Sequence, residues 1–213
     1  MTRIAIIDYG MGNLRSVAKA LEHVAPQAQV LVTHDRHEIL QADRVVFPGQ
    51  GSIRDCMSEL AHWNLLDVVR EAALGKPFLG LCLGPQALLE FSEENGGVAC
   101  LNVLPGRVIW FGDLRDPVTG ERLKVPHMGW NQVHQTVGHP LWSGIPQDSR
   151  FYFVHSYYPQ PADEALAAGR TDYGFAFASA LARNNIFAVQ FHPEKSAQAG
   201  LRLLANFVDW NPS

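Results

Sequence analysis

A cysteine framed by glycine two positions away on each side, Gly80-Leu81-Cys82-Leu83-Gly84, constrains this chain more than any other stretch. The apolar run Phe78-Leu79-Gly80-Leu81 precedes it, and a helix-like segment, Gln86 to Glu94, follows. At a strand-to-helix junction this pattern reads as a nucleophile elbow: a sharp turn lifts the side chain above a sheet, and the glycines leave room for the tight backbone. The helix start behind it offers positive potential and free N–H groups, which favour a thiolate. Taken alone, a glycine-flanked cysteine reads equally well as a small core residue in a turn. The deciding feature lies far downstream, in Gln190-Phe191-His192-Pro193-Glu194. Residues two apart in an extended segment point the same way, and Pro193 stiffens the backbone between them. His192 and Glu194 can therefore reach one pocket, as general base and orienter for a Cys82 nucleophile.

The first half of the chain alternates between strand and helix. Buried strands are expected at Ile4 to Asp8, Val30 to Thr33, Arg44 to Phe47 and Pro77 to Cys82. Helices are expected at Asn13 to Val24, with Leu14, Val17, Ala18, Leu21 and Val24 on one face, and within Ser52 to Ala73. Short apolar strands separated by helices imply βαβ units and a mostly parallel central sheet with helices on both faces. Sites in such sheets lie at the carboxyl ends of the strands. Asp8 to Asn13, Pro48-Gly49-Gln50-Gly51 and the Cys82 elbow all fall there.

From Val98 onward short β runs dominate: Arg107 to Phe111, Leu123 to Val125, Trp130 to His134, Phe151 to Val154, Gly174 to Ala182 and Ile186 to Gln190. Turns such as Asp116-Pro117 and Gly138-His139-Pro140 join them, as expected of mixed or antiparallel strands that extend the same sheet. A final helix is expected over Ser196 to Trp210, with Leu201, Leu204, Phe207 and Val208 inward. No repeat or linker divides the 213 residues, so a single domain spanning 1–213 is expected.

Composition narrows the function. With 47% hydrophobic residues the chain can bury a sizeable core, and at net charge −4 it carries no basic stripe for nucleic acid. Neither a leader-like segment nor a membrane-length apolar stretch is evident, and three cysteines (Cys56, Cys82, Cys100) without CxxC spacing argue against a disulfide framework or a metal site. A reducing cytoplasm fits this usage. No cofactor is called for by the pattern.

Pro48 to Gly51 follows a strand and precedes a helix. Its two glycines let the backbone turn an N–H toward a developing oxyanion, and the N–H of Leu83 supplies a second donor by the logic of the elbow. Gln86 stands one turn past Cys82 and can face the site, while Glu94, at the expected helix end, can meet an ammonium group. His62, His134 and His139 have no such partners in sequence and are expected to be surface or core residues. Tyr152-Phe153-Val154-His155-Ser156-Tyr157 ends a strand at a His-Ser-Tyr corner, read as a substrate edge or as a packed aromatic cluster.

Together these motifs resemble the class I (triad) glutamine amidotransferases, whose fold is flavodoxin-like α/β. Asp8 to Ser16, Pro126-His127-Met128-Gly129-Trp130-Asn131, Tyr152 to Tyr157 and Lys195-Ser196 are similar to those of the glutaminase subunits of histidine biosynthesis, and the motifs span nearly the whole chain. The resemblance implies hydrolysis of glutamine through a Cys82 thioester, with Cys82, His192 and Glu194 as the triad. It implies an oxyanion hole from Gly49, Gln50, Gly51 and Leu83, and glutamine held by Gly51, Gln86, Glu94, His155, Ser156 and Tyr157. It also implies a heterodimer with a (β/α)8 cyclase subunit, docked through Asn13, Arg15, Trp130, Tyr152 and Lys195. Two positions depart from the family pattern: Gln50 replaces a small apolar residue, and Pro85 replaces a long side chain. A two-glycine loop can flip, and ammonia released without an acceptor is wasted, so the resting hole is expected to be unformed. Three other readings stand beside this one: a paralogue serving a different synthase, a non-catalytic binding protein on the same fold, and a Cys-His peptidase.

Overall fold

The computed structural model describes residues 1–212. Its first half runs β1 (Arg3–Ile7), α1 (Leu14–Val24), β2 (Gln29–Thr33), α2 (Arg36–Gln41), β3 (Arg44–Gly49), α3 (Ile53–His62), α4 (Leu66–Gly75), β4 (Phe78–Cys82) and α5 (Leu83–Leu88). Strands buried on both faces read as continuous apolar runs, and Ile4 to Ile7, Val45 to Phe47 and Phe78-Leu79 are all fully buried. β1 lies parallel to both β2 and β3, and β3 lies parallel to β4. That register sets Gly49 beside Cys82, so the glycine loop and the cysteine emerge side by side.

The second half adds β5 (Phe91–Ser92), β6 (Val98–Ala99), β7 (Gly106–Trp110), β8 (His127–Gln135), β9 (Ser149–His155), β10 (Tyr157–Pro161), β11 (Ala167–Asp172), β12 (Ala176–Arg183), β13 (Ile186–Val189) and α6 (Ala197–Asp209). β13 returns beside β4 in parallel, and the nine-stranded sheet runs β2-β1-β3-β4-β13-β12-β11-β8-β9. Beyond β13 every pairing is antiparallel. Successive side chains point to opposite faces. Ile4 and Ile6 accordingly pack with α1 and α6, while Ala5 and Ile7 pack with the core beneath α2, α3, α4 and α5.

Several expectations are corrected. Only part of the β-rich half extends the main sheet, because β10-β7-β5-β6 forms a second, four-stranded sheet. Leu123 to Val125 is not a strand; only the neighbouring Arg122 makes an isolated bridge, to Arg115. The helical stretch 52–73 is two helices, since Asn64 takes a left-handed turn (φ 55°) and the N–H of Leu65 closes on Leu60 O, a helix-ending pattern. The helix after the elbow stops at Leu88, whose carbonyl accepts from Val103 and Leu104 as the chain folds back. Glu94 therefore sits in a separate 3-10 turn, Glu94–Gly96, rather than at a helix end.

Candidate active site

The parallel strands β1, β3, β4 and β13 deliver their carboxyl ends to one cleft of about 740 Å³. Cys82 stands at its floor with φ 56° and ψ −87°, a backbone conformation that a non-glycine residue holds only under strain. The flanking glycines allow this by close approach. A Cβ on Gly84 would lie 2.8 Å from Phe47 O, and one on Gly80 would lie 3.0 Å from the Ala188 Cβ. Leu83 opens α5, so its N–H is among those with no intrahelical acceptor.

His192 follows β13 and is 3% exposed. Its Nδ1 lies 2.9 Å from Glu194 Oε1, both side chains being almost fully buried. Its Nε2 is buried and has no hydrogen-bond partner among the described residues. Burial works against the imidazolium, but the Cys82 sulfur and the Glu194 carboxylate outweigh it and raise His192 from 6.5 to about 10. A thiol, an imidazole and a carboxylate are thus gathered in one buried site, the groups that a nucleophile and its base require.

The backbone around His192 is held from both sides. Its N–H donates to Tyr152 O at 2.9 Å, and Ser196 Oγ donates to His192 O while accepting from the Tyr152 N–H. Gly200 of α6 lies against the Pro193 carbonyl so closely that a Cβ would overlap it. Gly200→Ala is therefore expected to destabilise by about 1–3 kcal/mol through overpacking. Gly75→Ala, where a Cβ meets nothing within 4 Å, is expected to be neutral or slightly stabilising. Urea unfolding of the two variants checks the contrast.

The cleft gathers Gln50, Gly51, Leu83, Gln86, Glu94, His155, Ser156 and Tyr157 around Cys82 and His192. Gly49 and Glu194 lie behind this lining. Gln86 is buried rather than on a solvated face, and its Nε2 donates to Tyr157 O and Gln190 Oε1 at 3.1 and 2.9 Å. Glu94 reaches the cleft from its turn, with Oε2 accepting from the Ile53 N–H at the start of α3 at 2.7 Å. The loop after β1 also contributes, through Gly10, Met11 and Gly12, as do Pro126 and Val154.

Three side chains at the site were not singled out from sequence. Tyr9, fully buried, donates from its hydroxyl to Pro48 O at 2.9 Å and so holds the end of β3 beneath the glycine loop. Gln190 donates from Nε2 to Cys82 O at 3.2 Å, with Sγ at 3.9 Å. His127 lies 2.9 Å from His155, Nδ1 to Nε2. A polar residue inside an apolar run is the available signal for Gln190, which follows Phe187-Ala188-Val189.

Trp130 and Tyr152 face each other across β8 and β9, their rings 6.2 Å apart, and Trp130 is 44% exposed. Asn13 and Arg15 begin α1, which touches the Pro193–Lys195 turn. His62 and His134 are exposed, the latter paired with Asp148, and His139 is half-buried against Phe187 and Trp210. Among the described residues all three cysteines are free, no cluster of His, Cys, Asp and Glu could hold a metal, and no helix is long and apolar enough to cross a membrane.

Residues 5–210 match the family described as Glutamine amidotransferase class-I. The chain is 64% identical over 211 residues to Imidazole glycerol phosphate synthase subunit HisH of Nitrosococcus oceani, covering 99% of both chains. It is 62% identical over 213 residues to the protein of that name from Aromatoleum aromaticum, covering all of both. The fold is similar to PurLQS from Thermotoga maritima, with TM-score 0.71, 14% identity and 98% of each chain covered. It is also similar to the glutaminase domain of CTPS from Trypanosoma brucei, solved with bound acivicin, with TM-score 0.64, 20% identity, and 100% of this chain and 96% of that one covered.

Proposed function

The chain belongs to the class-I glutamine amidotransferase family, and we propose that it is the glutamine-hydrolysing subunit of an imidazole glycerol phosphate synthase, acting as one domain over 1–213. The observation that carries this reading is the gathering of Cys82, His192 and Glu194 in one buried site, with Glu194 Oε1 2.9 Å from His192 Nδ1, in a chain 57–64% identical to HisH proteins along its length.

In the proposed mechanism His192 takes the thiol proton and Cys82 Sγ attacks the side-chain amide carbon of glutamine. The amide oxygen becomes an oxyanion, met by the N–H of Leu83 and by a backbone N–H of the Gly49–Gly51 loop. His192 returns the proton to nitrogen, ammonia departs and a glutamyl thioester remains. His192 then takes a proton from water, the hydroxide attacks the thioester, and glutamate and the free thiol are released. Glu194 keeps the proton of His192 on Nδ1 throughout. Gly51, Gln86, Glu94, His155, Ser156 and Tyr157 are proposed to bind glutamine, with Glu94 facing its ammonium group. The Gly49–Gly51 loop, pinned at Pro48 by Tyr9, is proposed to form the hole only when the partner is engaged.

The partner is proposed to be a (β/α)8 cyclase subunit docked on Asn13, Arg15, Trp130, Tyr152 and Lys195. It would receive the ammonia and form imidazole glycerol phosphate and an aminoimidazole carboxamide ribotide. The test is glutamate release by the chain alone, then with a cyclase subunit and its ribonucleotide ligand. Low activity alone and a large rise in the mixture are expected. Activity indifferent to the cyclase points to another synthase as partner, and no activity from folded protein in either case overturns the enzymatic reading.

A further inference from the structure

We propose that Gln190 holds the Cys82 sulfur in position and is itself set by a hydrogen-bond relay of two donor branches that meet on the Tyr157 carbonyl, one from Asn131 and His127 on β8 through His155, the other from Gln86. The inference rests on Cys82 being the nucleophile.

The direction of each bond follows from its neighbours. Asn131 Nδ2 donates to Asp172 O at 2.8 Å and Asn131 Oδ1 accepts from the Gln132 N–H at 2.8 Å, which fixes the orientation of the amide. That same Nδ2 lies 3.2 Å from His127 Nε2, so this ring nitrogen must accept. His127 then carries its proton on Nδ1 and donates to His155 Nε2 at 2.9 Å. His155 in turn carries its proton on Nδ1 and donates to Tyr157 O at 2.8 Å. The Tyr157 carbonyl also accepts from Gln86 Nε2 at 3.1 Å. The other hydrogen of Gln86 Nε2 goes to Gln190 Oε1 at 2.9 Å, which leaves Gln190 Nε2 for Cys82 O at 3.2 Å and Sγ at 3.9 Å. The Tyr157 carbonyl thus accepts from both branches, and the His155 branch acts on Gln86 and Gln190 by fixing that carbonyl.

Aromatic neighbours bury the two imidazoles of the relay and keep them neutral. His127 stacks on Tyr173 at 4.1 Å and on Phe153 at 4.8 Å, and Phe111 and Phe177 stand 5.1 and 5.3 Å from the His155 ring. Burial holds His127 down at about 4 and His155 at about 3, so neither is an imidazolium near neutral pH. In such a medium an unmade bond is costly, and a polar chain is held as a unit. Gln190 is thus a group in contact with the reacting sulfur, while His127 and Asn131 act through others as positioning residues.

The test is a double-mutant cycle read by iodoacetamide alkylation of Cys82 in the full chain, followed by mass spectrometry, alongside glutamine turnover. Cys56 and Cys100 are pushed up to about 12 by burial and stay silent at neutral pH. His127→Phe keeps the stacked ring and breaks the relay; Gln190→Met keeps the length and removes the donor. Each is expected to slow alkylation and kcat by about 10-fold with KM little changed, the double variant being no slower than the worse single. His127→Gln, which can accept from Asn131 and donate to His155, is expected to restore most of the rate. If His127→Phe fails to fold, Asn131→Leu, which removes the donor that sets the tautomer together with the bonds to Asp172 O and the Gln132 N–H, carries the same expectation. Effects that multiply, or alkylation untouched while KM rises, overturn the relay. The nucleophile reading fails separately, if Cys82→Ala retains glutaminase activity.

Discussion

Cys82→Ala is expected to lower glutamine hydrolysis by about 10⁴-fold or more while the chain stays folded, because residues acting as one unit lose nearly all their effect when the nucleophile is removed. The fold survives because alanine keeps the Cβ and removes only the sulfur from a side chain that is 6% exposed. A second consequence separates the catalytic from the structural reading. His192 stands at about 10, the Cys82 sulfur and Glu194 together outweighing its burial. A group raised in this way contributes stability that is complete below its ordinary value of 6.5 and is lost as pH climbs toward about 10. Without the sulfur, burial has less to oppose it, so the His192 imidazole should titrate lower in Cys82→Ala, and the loss of stability on raising the pH above 6.5 should be smaller and complete at a lower pH. An NMR titration of the His192 ring checks this. A ring whose titration is indifferent to the sulfur would mean that the two do not form an ion pair. Cys82→Gly isolates the strain at φ 56°: it should be more stable than Cys82→Ala by about 1 kcal/mol, since only glycine holds that backbone freely.

The elbow was legible because its tight backbone demands glycine on both sides of Cys82: Gly80 is required by the close approach of Ala188 and Gly84 by that of Phe47. His192 and Glu194 were legible for a similar reason, as two side chains separated by one stiff residue. The strands that sequence reasoning missed lack such a local demand. β10, Tyr-Tyr-Pro-Gln-Pro, reads as a breaker, yet it is an edge strand pairing only with β7, where prolines do little harm. β11, Ala-Ala-Gly-Arg-Thr-Asp, has little β propensity and is a strand because β8 and β12 flank it. α2 is six residues, too short for periodicity to show, and is set by the Asp35 cap on the Glu38 N–H. Glu94 was expected to reach the site from the end of a helix. It reaches the site from another turn, because the returning segment 101–104 takes the carbonyls on which the helix would have continued. Tyr9, Gln190 and His127 owe their places to contacts 28 to 108 residues distant, which no local pattern encodes.

Glu194→Gln should lower kcat by about 10²- to 10⁴-fold with a small change in KM, by analogy of role with the orienting carboxylate of other triads. The carboxylate is buried, and only Oε1 has a partner, His192 Nδ1 at 2.9 Å; Oε2 has none. A buried charge with one hydrogen bond is tolerable only while its partner can be an imidazolium. Glutamine matches glutamate in shape, so the turn Pro193–Lys195 and its tie through Ser196 stay in place. Two orientations are then open to the amide. With its oxygen toward Nδ1 the tautomer is kept, but the negative charge that stabilises the imidazolium is gone. With its nitrogen toward Nδ1 the ring must carry its proton on Nε2, the side facing Cys82, and cannot accept the thiol proton. Both lower the His192 titration and both slow thioester formation, so the ring and kcat should fall together. Loss of less than about 10-fold, with the His192 titration unchanged, would assign Glu194 to holding the turn and leave orientation of the base to the backbone bonds from Tyr152 and Ser196.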